Sequence, residues 1–195
     1  MTMQNRILAN FSGQDFLSRN TAEIYIMDYT NQTKNVKGLE WSDIVPVDIN
    51  AFIIHNSSLL DITFCAFKEN TIKLEKDAKE LSHCEGILFP VVNSDKTWIT
   101  FLELKYPQKK DNLGSNLKEA RSQLLFTLDL FRKRGIIEEK RLVYLIFSAP
   151  KYGNKTPFEN WSMEPGKLRE IRKTKYAIMR GVNSIQVISN ENLKV

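Results

Sequence analysis

The chain has 195 residues, 42% hydrophobic and 26% charged, a balance typical of a globular protein and unlike that of disordered, collagen-like or membrane sequences. No apolar run approaches the roughly 20 residues that a membrane span requires, and the N-terminus lacks the basic-then-apolar pattern of a signal peptide, so we expect a cytoplasmic protein without membrane contact. The net charge of +5 favours encounter with polyanions but identifies none of them.

The length suits one domain with a full hydrophobic core. Residues 1–56 have weak periodicity, with a strand-like stretch at 22–29 and a polar, loop-like segment at 31–38. We therefore expect a single domain over 1–195, in which 1–56 is an N-terminal extension of unassigned role and 57–195 is the core.

The two cysteines, Cys65 and Cys84, lie in apolar stretches without CxxC spacing. This context favours buried free thiols over a disulfide or a metal pair. Neither His55 nor His83 belongs to a ligand motif such as HExxH.

The clearest hairpin begins at Cys84. The segments CEGILFPVV and TWITFLELKYP are two apolar strands joined by a polar connection, and Pro107 ends the second because proline cannot donate to a strand ladder. Before them, 57–67 and 71–76 indicate two short strands joined by a turn, with a helix across 50–62 as the alternative.

A long helix is predicted over about 116–134, with Asn116 and Glu119 at capping-box spacing and Gly135 as its C-terminal stop. The apolar run 141–150 then indicates a buried strand. A Pro- and Gly-rich loop, a basic helix across 167–181 and a final strand at 184–189 complete the pattern. Strands interleaved with helices imply an α/β fold with a mixed central β-sheet flanked by helices.

The charged residues that are candidates for catalysis lie where the second strand of the hairpin ends. Alternate residues of a strand share a face, so Glu103 and Lys105 project together from an otherwise apolar strand. Such a buried pair requires a partner or a metal. Glu85 opens the preceding strand, and two converging carboxylates suit a hard divalent cation, Mg²⁺ or Mn²⁺. Gly86 permits close approach of backbone or ligand.

The residues Glu85, Glu103, Leu104 and Lys105, followed by a helix, resemble the PD-(D/E)XK nuclease superfamily over roughly 60–150. That superfamily pairs an acid on one strand with an acidic-x-Lys motif on the next, then continues into a helix and a strand. The chain departs from the pattern because the first acid is usually Asp, and Cys84 stands where a proline usually precedes it.

The resemblance implies a restriction-endonuclease-like core and Mg²⁺- or Mn²⁺-dependent hydrolysis of phosphodiester bonds. DNA is the expected substrate, RNA is an open alternative, and a homodimer is a possible assembly. Glu85 and Glu103 would hold the metal, while Lys105 would position or deprotonate the attacking water or stabilise the transition state.

Further residues have weaker signals. Gln123 falls inside the apolar arc of the long helix, and some exonuclease branches of the superfamily carry a glutamine there near the metal. Glu80 is a candidate additional acid and Tyr106 adjoins Lys105, although a solvated helix position and a half-buried strand-end tyrosine are the plainer interpretations. Basic residues are denser in the second half of the chain, and the candidates for contact with nucleic acid are Lys109, Lys110 and Lys173.

Three alternatives stand beside the nuclease hypothesis. Glu103 and Lys105 could form an ordinary surface ion pair, which contributes roughly 0 to 1 kcal/mol. The chain could be a catalytically inactive nuclease-fold module that binds nucleic acid or a protein. It could also be an unrelated α/β protein whose basic helix contacts a partner.

The tryptophans are interpreted as packing residues rather than as base-stacking platforms: Trp41, Trp98 and Trp161.

Overall fold

The computed structural model describes residues 1–29, 38–67, 72, 83–92, 94, 96–106, 113–152 and 165–195. The described residues form three α-helices and eleven strands. In chain order these are α1 (Met3–Asn10), β1 (Asp15–Arg19), β2 (Glu23–Asp28), β3 (Leu39–Ser42), β4 (Phe52–His55), β5 (Ile62–Ala66), β6 (Gly86–Pro90), β7 (Thr100–Leu104), α2 (Leu113–Lys133), β8 (Val143–Ser148), α3 (Pro165–Thr174), β9 (Ala177–Gly181), β10 (Ser184–Val187) and β11 (Leu193–Lys194).

The larger sheet has the order β1-β5-β6-β7-β8-β9 and is mixed. The pairs from β1 to β7 are antiparallel, whereas β7, β8 and β9 are parallel. Parallel neighbours need a crossover, and α2 and α3 provide these two connections. The ends of the three parallel strands therefore meet at one edge of the sheet, which we call the carboxyl edge (Leu104, Ser148 and Gly181); their beginnings form the amino edge (Thr100, Val143 and Ala177).

Two cores lie on the two faces of this sheet. The helices cover one face, where Ile7 of α1 and Leu124 of α2 pack with Phe101 of β7. The second sheet, of order β11-β10-β4-β2-β3, covers the other face, where Ile26 and Leu102 belong to one buried cluster. The α/β class and the mixed sheet are thus confirmed, with helices on one face and a second sheet on the other.

The hairpin prediction is confirmed, because β6 and β7 pair antiparallel and every residue of both strands is buried. The predicted strand in 141–150 is β8. The long helix is also confirmed, but it begins at Leu113, so Asn116 and Glu119 lie inside it and the predicted capping box is wrong. Gly135 ends it with a φ of +68°, a conformation that glycine adopts without a steric penalty.

The predicted basic helix across 167–181 is wrong in its second half. Helix α3 ends at Thr174, and Tyr176 has a φ of +39°, which interrupts a helix. Residues 177–181 form β9, which pairs parallel with β8. Ala177 and Met179 are buried against the helix-covered core, so sheet pairing overrides the helical tendency of this segment.

The N-terminal region is built into both sheets. The strand-like stretch at 22–29 is β2, which pairs with β4, and β1 pairs with β5 of the larger sheet. A helix across 50–62 is not formed, since β4 and β5 occupy that region. Most of the predicted loop at 31–38 and most of the predicted strand at 71–76 lie outside the described residues.

Within the described segments, no helix combines the length and apolar character needed to cross a membrane. Cys65 and Cys84 are free and buried, as predicted. Burial raises the pKa of the Cys65 thiol to about 12 and raises that of Cys84 as well.

Candidate functional site

Glu103 is the centre of the candidate site. Alternate residues of a strand share a face, so the side chain of Glu103 on β7 points to the same side as those of Ile99 and Phe101, into the core beneath α2. Glu103 is 0% exposed. Its Oε1 atom lies 2.7 Å from Nζ of Lys105. Full burial of a carboxylate at the end of an apolar strand is compensated by this ammonium.

Glu85 lies directly before β6 and opposite Glu103. The register pairs Gly86 with Leu102, so one step further brings Glu85 to the position facing Glu103, on the same face of the sheet. The backbone N–H of Glu85 donates to Oε2 of Glu103 at 3.1 Å, and the N–H of Phe67 donates to the Glu85 carbonyl at 2.8 Å. Both neighbouring strands therefore hold the Glu85 backbone in place.

Lys105 follows β7 at the carboxyl edge. Its backbone N–H donates to the Ser148 carbonyl at 2.9 Å, which extends the parallel pairing with β8 by one residue. Its Nζ lies 3.7 Å from Oε1 of Glu119 on α2, and its side chain is 15% exposed. The ammonium thus sits between the buried Glu103 and the more exposed Glu119.

The electrostatics of the cluster follow from burial and charge. Burial raises the pKa of Glu103 to about 7, although the Lys105 ammonium and the Glu85 N–H oppose this rise. Burial alone would lower the pKa of Lys105, but the carboxylates of Glu103, Glu119 and Glu85 outweigh it, so the pKa of Lys105 is raised. Lys105 is therefore an ammonium at neutral pH, and three carboxylates act on it.

Two residues of α2 hold the segment that leads into Glu85. Gln123 donates from Nε2 to the His83 carbonyl at 3.3 Å. The Thr127 hydroxyl accepts from the Cys84 N–H at 3.0 Å and donates to the Gln123 carbonyl at 2.7 Å. Gln123 is buried, as expected, and it contacts the backbone beside the site. The sequence offered one signal for Thr127, a hydroxyl inside the apolar arc of a helix, but it did not predict this contact.

Gly86 permits a close approach within the protein. A Cβ atom at this position would lie 2.5 Å from the Cys65 carbonyl oxygen and 2.6 Å from the Phe64 ring. The Phe64 ring stacks on Trp41 of the second sheet, with ring centroids 5.4 Å apart. The glycine is therefore explained by packing between β5 and β6.

Tyr106 points away from the cluster. It belongs to the core between the two sheets, donates from its hydroxyl to the Asn50 carbonyl at 2.8 Å and accepts from the Asp28 N–H at 3.5 Å. Burial raises the pKa of its hydroxyl. This tyrosine ties the second sheet to the end of β7, and it is buried rather than half-buried as its plainer interpretation expected.

Among the remaining candidates, the described Lys173 does not join the cluster. Lys173 is exposed near the end of α3, at the amino edge of the larger sheet and so at the end of the parallel strands opposite Glu103. Glu80, Lys109 and Lys110 lie outside the described residues. Trp41 and Trp98 are buried, consistent with packing, and Trp161 falls outside the described ranges.

The donor set is compatible with a hard divalent cation. Glu85 and Glu103 stand at facing positions of neighbouring strands, and with Glu119 their carboxylates exceed the single positive charge of Lys105. Within the described segments no group of three or more His, Cys, Asp or Glu side chains could hold a metal. Two carboxylates completed by water or substrate oxygens are a usual arrangement for Mg²⁺.

Fold and site together define an α/β protein with two facing glutamates and one lysine at the carboxyl edge of a mixed sheet. Comparison with family models, with curated proteins and with solved structures finds no match to this chain. The site and the order of the elements around it therefore carry the functional conclusion.

Proposed function

We propose that this protein is a metal-dependent nuclease that hydrolyses phosphodiester bonds of DNA, with Glu85, Glu103 and Lys105 as its active site. The observation that carries the proposal is the convergence of these three residues on one face of the sheet at its carboxyl edge. An ordinary surface ion pair would be solvated, whereas Glu103 is completely buried.

The order of the elements supports the same proposal. An acid precedes β6, an acidic-x-Lys sequence ends β7, α2 follows, and β8 returns parallel to β7. This is the order that the resemblance to the PD-(D/E)XK superfamily implies. The restriction-endonuclease-like core is part of the proposal, and the second sheet is an addition to it.

Glu85 and Glu103 would hold the divalent cation. When bound, such a cation activates water and stabilises negative charge on a phosphate. Its charge would also relieve the desolvation that raises the pKa of Glu103.

Among the roles that the resemblance implies for Lys105, we favour those of an ammonium, because the neighbouring carboxylates raise its pKa. It would orient the Glu103 carboxylate through the contact at 2.7 Å and stabilise negative charge on the substrate. Gln123 and Thr127 are positioning residues, since they contact the backbone that precedes Glu85.

The test incubates purified protein with plasmid DNA, single-stranded DNA and RNA in the presence of Mg²⁺, Mn²⁺ or EDTA. We expect cleavage that requires the metal and is lost at least about 100-fold in Glu103→Gln, Glu85→Gln and Lys105→Ala. The matched control is Glu191→Gln, an exposed carboxylate in the turn before β11, and it should cleave as the wild type does.

Thermal unfolding with and without Mn²⁺ supplies a second measurement. Metal should stabilise the wild type and Glu191→Gln but not Glu103→Gln. Absence of metal-dependent cleavage of every substrate, or equal cleavage by Glu103→Gln, would defeat the enzymatic proposal. Nucleic-acid binding without cleavage would instead support the inactive module.

A further inference from the structure

Three basic stretches that are distant in the sequence converge at one corner of the molecule. They are 132–134 at the end of α2, 140–141 in the turn before β8, and 172–175 at the end of α3. The Arg132 guanidinium joins them, since Nη1 donates to the Lys175 carbonyl at 2.7 Å and Nη2 to the Arg141 carbonyl at 3.0 Å. Arg132 is itself buried, so this connection is part of the fold.

Positive charge exceeds negative charge at this basic corner. Glu138 and Glu139 are the exposed carboxylates of the turn, and Asp129 is paired with Lys175 at 2.7 Å. None of the exposed cations of the corner forms an ion pair with a described carboxylate. These cations are Lys133, Arg134, Lys140, Arg172 and Lys173.

The basic corner lies at the amino edge of the larger sheet, away from the candidate active site. The Val143 N–H at the start of β8 donates to the Tyr176 carbonyl, and Arg172 acts electrostatically on the Tyr144 hydroxyl. The site lies by the other end of β8, at Ser148. The six residues of β8 separate the two ends by about 17 Å. One end of the strands is rich in carboxylates and the other in cations.

We propose that the basic corner is a docking surface for the phosphate backbone of duplex nucleic acid, distinct from the carboxylate site. Clustered, exposed Lys and Arg side chains bind phosphates without reading the bases, and binding of this kind weakens steeply with salt. The proposal goes beyond the nuclease function and does not depend on it, because binding here needs neither a metal nor Glu103. An anionic membrane surface is the competing partner that the experiment distinguishes.

The experiment measures the affinity of the full-length protein for a fluorescent duplex of arbitrary sequence, by anisotropy, in EDTA and between about 50 and about 200 mM salt. The test variant is Lys133→Glu with Lys173→Glu. We expect an affinity at least about tenfold lower, and a slope of log affinity against log salt that is shallower by about two. A second pair, Arg134→Glu with Lys140→Glu, should act in the same direction.

The matched control is Arg19→Glu with Lys194→Glu, which changes the net charge equally at exposed positions on the outer strands β1 and β11. An affinity reduced as much by the control pair as by the test pairs would overturn the proposal. So would a wild type that binds vesicles of anionic lipid but not the duplex. Cleavage assays on the same variants keep the two proposals apart. A protein that binds the duplex but does not cleave it counts against the nuclease proposal and not against the docking surface.

Discussion

The backbone N–H of Glu85 donates to Oε2 of Glu103 at 3.1 Å, between the paired antiparallel strands β6 and β7, where the register sets the two residues opposite each other. The other carboxylate oxygen of Glu103 contacts the Lys105 ammonium at 2.7 Å. A buried charge that depends on one N–H and one ammonium makes the stability of the protein sensitive to pH and to the loss of either partner.

The free energy of unfolding of the metal-free protein should fall as the pH rises through about 7. Glu103 has a pKa near 7 in the folded state and an ordinary value of 4.5 when unfolded, so the folded state binds more protons between these values. The stabilisation that protonation of Glu103 contributes is complete below about pH 4.5 and is lost above about pH 7. Denaturant titration in EDTA at several pH values should show a loss of about 1 to 3 kcal/mol. The loss should be much smaller in Glu103→Gln, and an unchanged pH profile in that variant would contradict the assignment to Glu103.

Replacing Lys105 with alanine should destabilise the protein by about 3 kcal/mol at pH 8, because Glu103 then loses the cation that compensates its buried charge. The loss should be smaller at pH 5, where Glu103 is protonated in the folded state. Chemical denaturation at the two pH values measures the difference. Lys118→Ala removes an exposed lysine of α2 and is the control. Equal losses at both pH values would indicate that only packing was removed.

Thr127→Val should destabilise the protein by about 1 to 3 kcal/mol, because the buried Cys84 N–H loses its acceptor while the side-chain shape is nearly kept. The same change should displace Glu85 and reduce nuclease activity more than it reduces DNA binding. Ser122→Ala is the control, since that hydroxyl is exposed and donates to the Lys118 carbonyl of its own helix. The measurements are thermal unfolding and a comparison of kcat with KM, and a variant as stable as Ser122→Ala would refute the role of Thr127.

Gly86→Ala should cost at least about 1 to 3 kcal/mol, since the added methyl would lie 2.5 Å from the Cys65 carbonyl oxygen and against the Phe64 ring. Gly114→Ala provides the contrast. Gly114 lies in the first turn of α2, where an added methyl group would have nothing within 4 Å, so that variant should be neutral or more stable by up to about 1 kcal/mol. Urea midpoints of the two variants test the prediction, which fails if Gly86→Ala is as stable as the wild type.

Arg132→Lys should keep the positive charge of the basic corner but lose the planar fork that reaches the carbonyls of Lys175 and Arg141. We expect a loss of about 1 to 3 kcal/mol in the free energy of unfolding. Arg134→Lys, an exposed neighbour, should change stability by less than about 0.5 kcal/mol. Similar unfolding midpoints for the two variants would mean that Arg132 does not hold the corner together.

Local patterns of the sequence predict part of this architecture. Apolar runs bounded by turn residues predict β6, β7 and β8, and helical periodicity with Gly135 predicts α2 and its end. The two-residue repeat of a strand already places Glu103 and Lys105 on one face. These features depend on neighbours along the chain, so sequence is sufficient for them.

Other features were decided by contacts between distant segments. Residues 177–181 are a strand because β8 offers a parallel partner, and the weakly periodic N-terminal region is ordered by pairing with β5, β10 and its own strands. The register that sets Glu85 opposite Glu103, the side on which Tyr106 lies and the approach of Phe64 to Gly86 all depend on which strands pair and which face each partner covers. The sequence by itself determined the periodic elements and the residue types of the site, whereas tertiary structure decided their register and burial, because those arise from pairing energies between segments far apart in the chain.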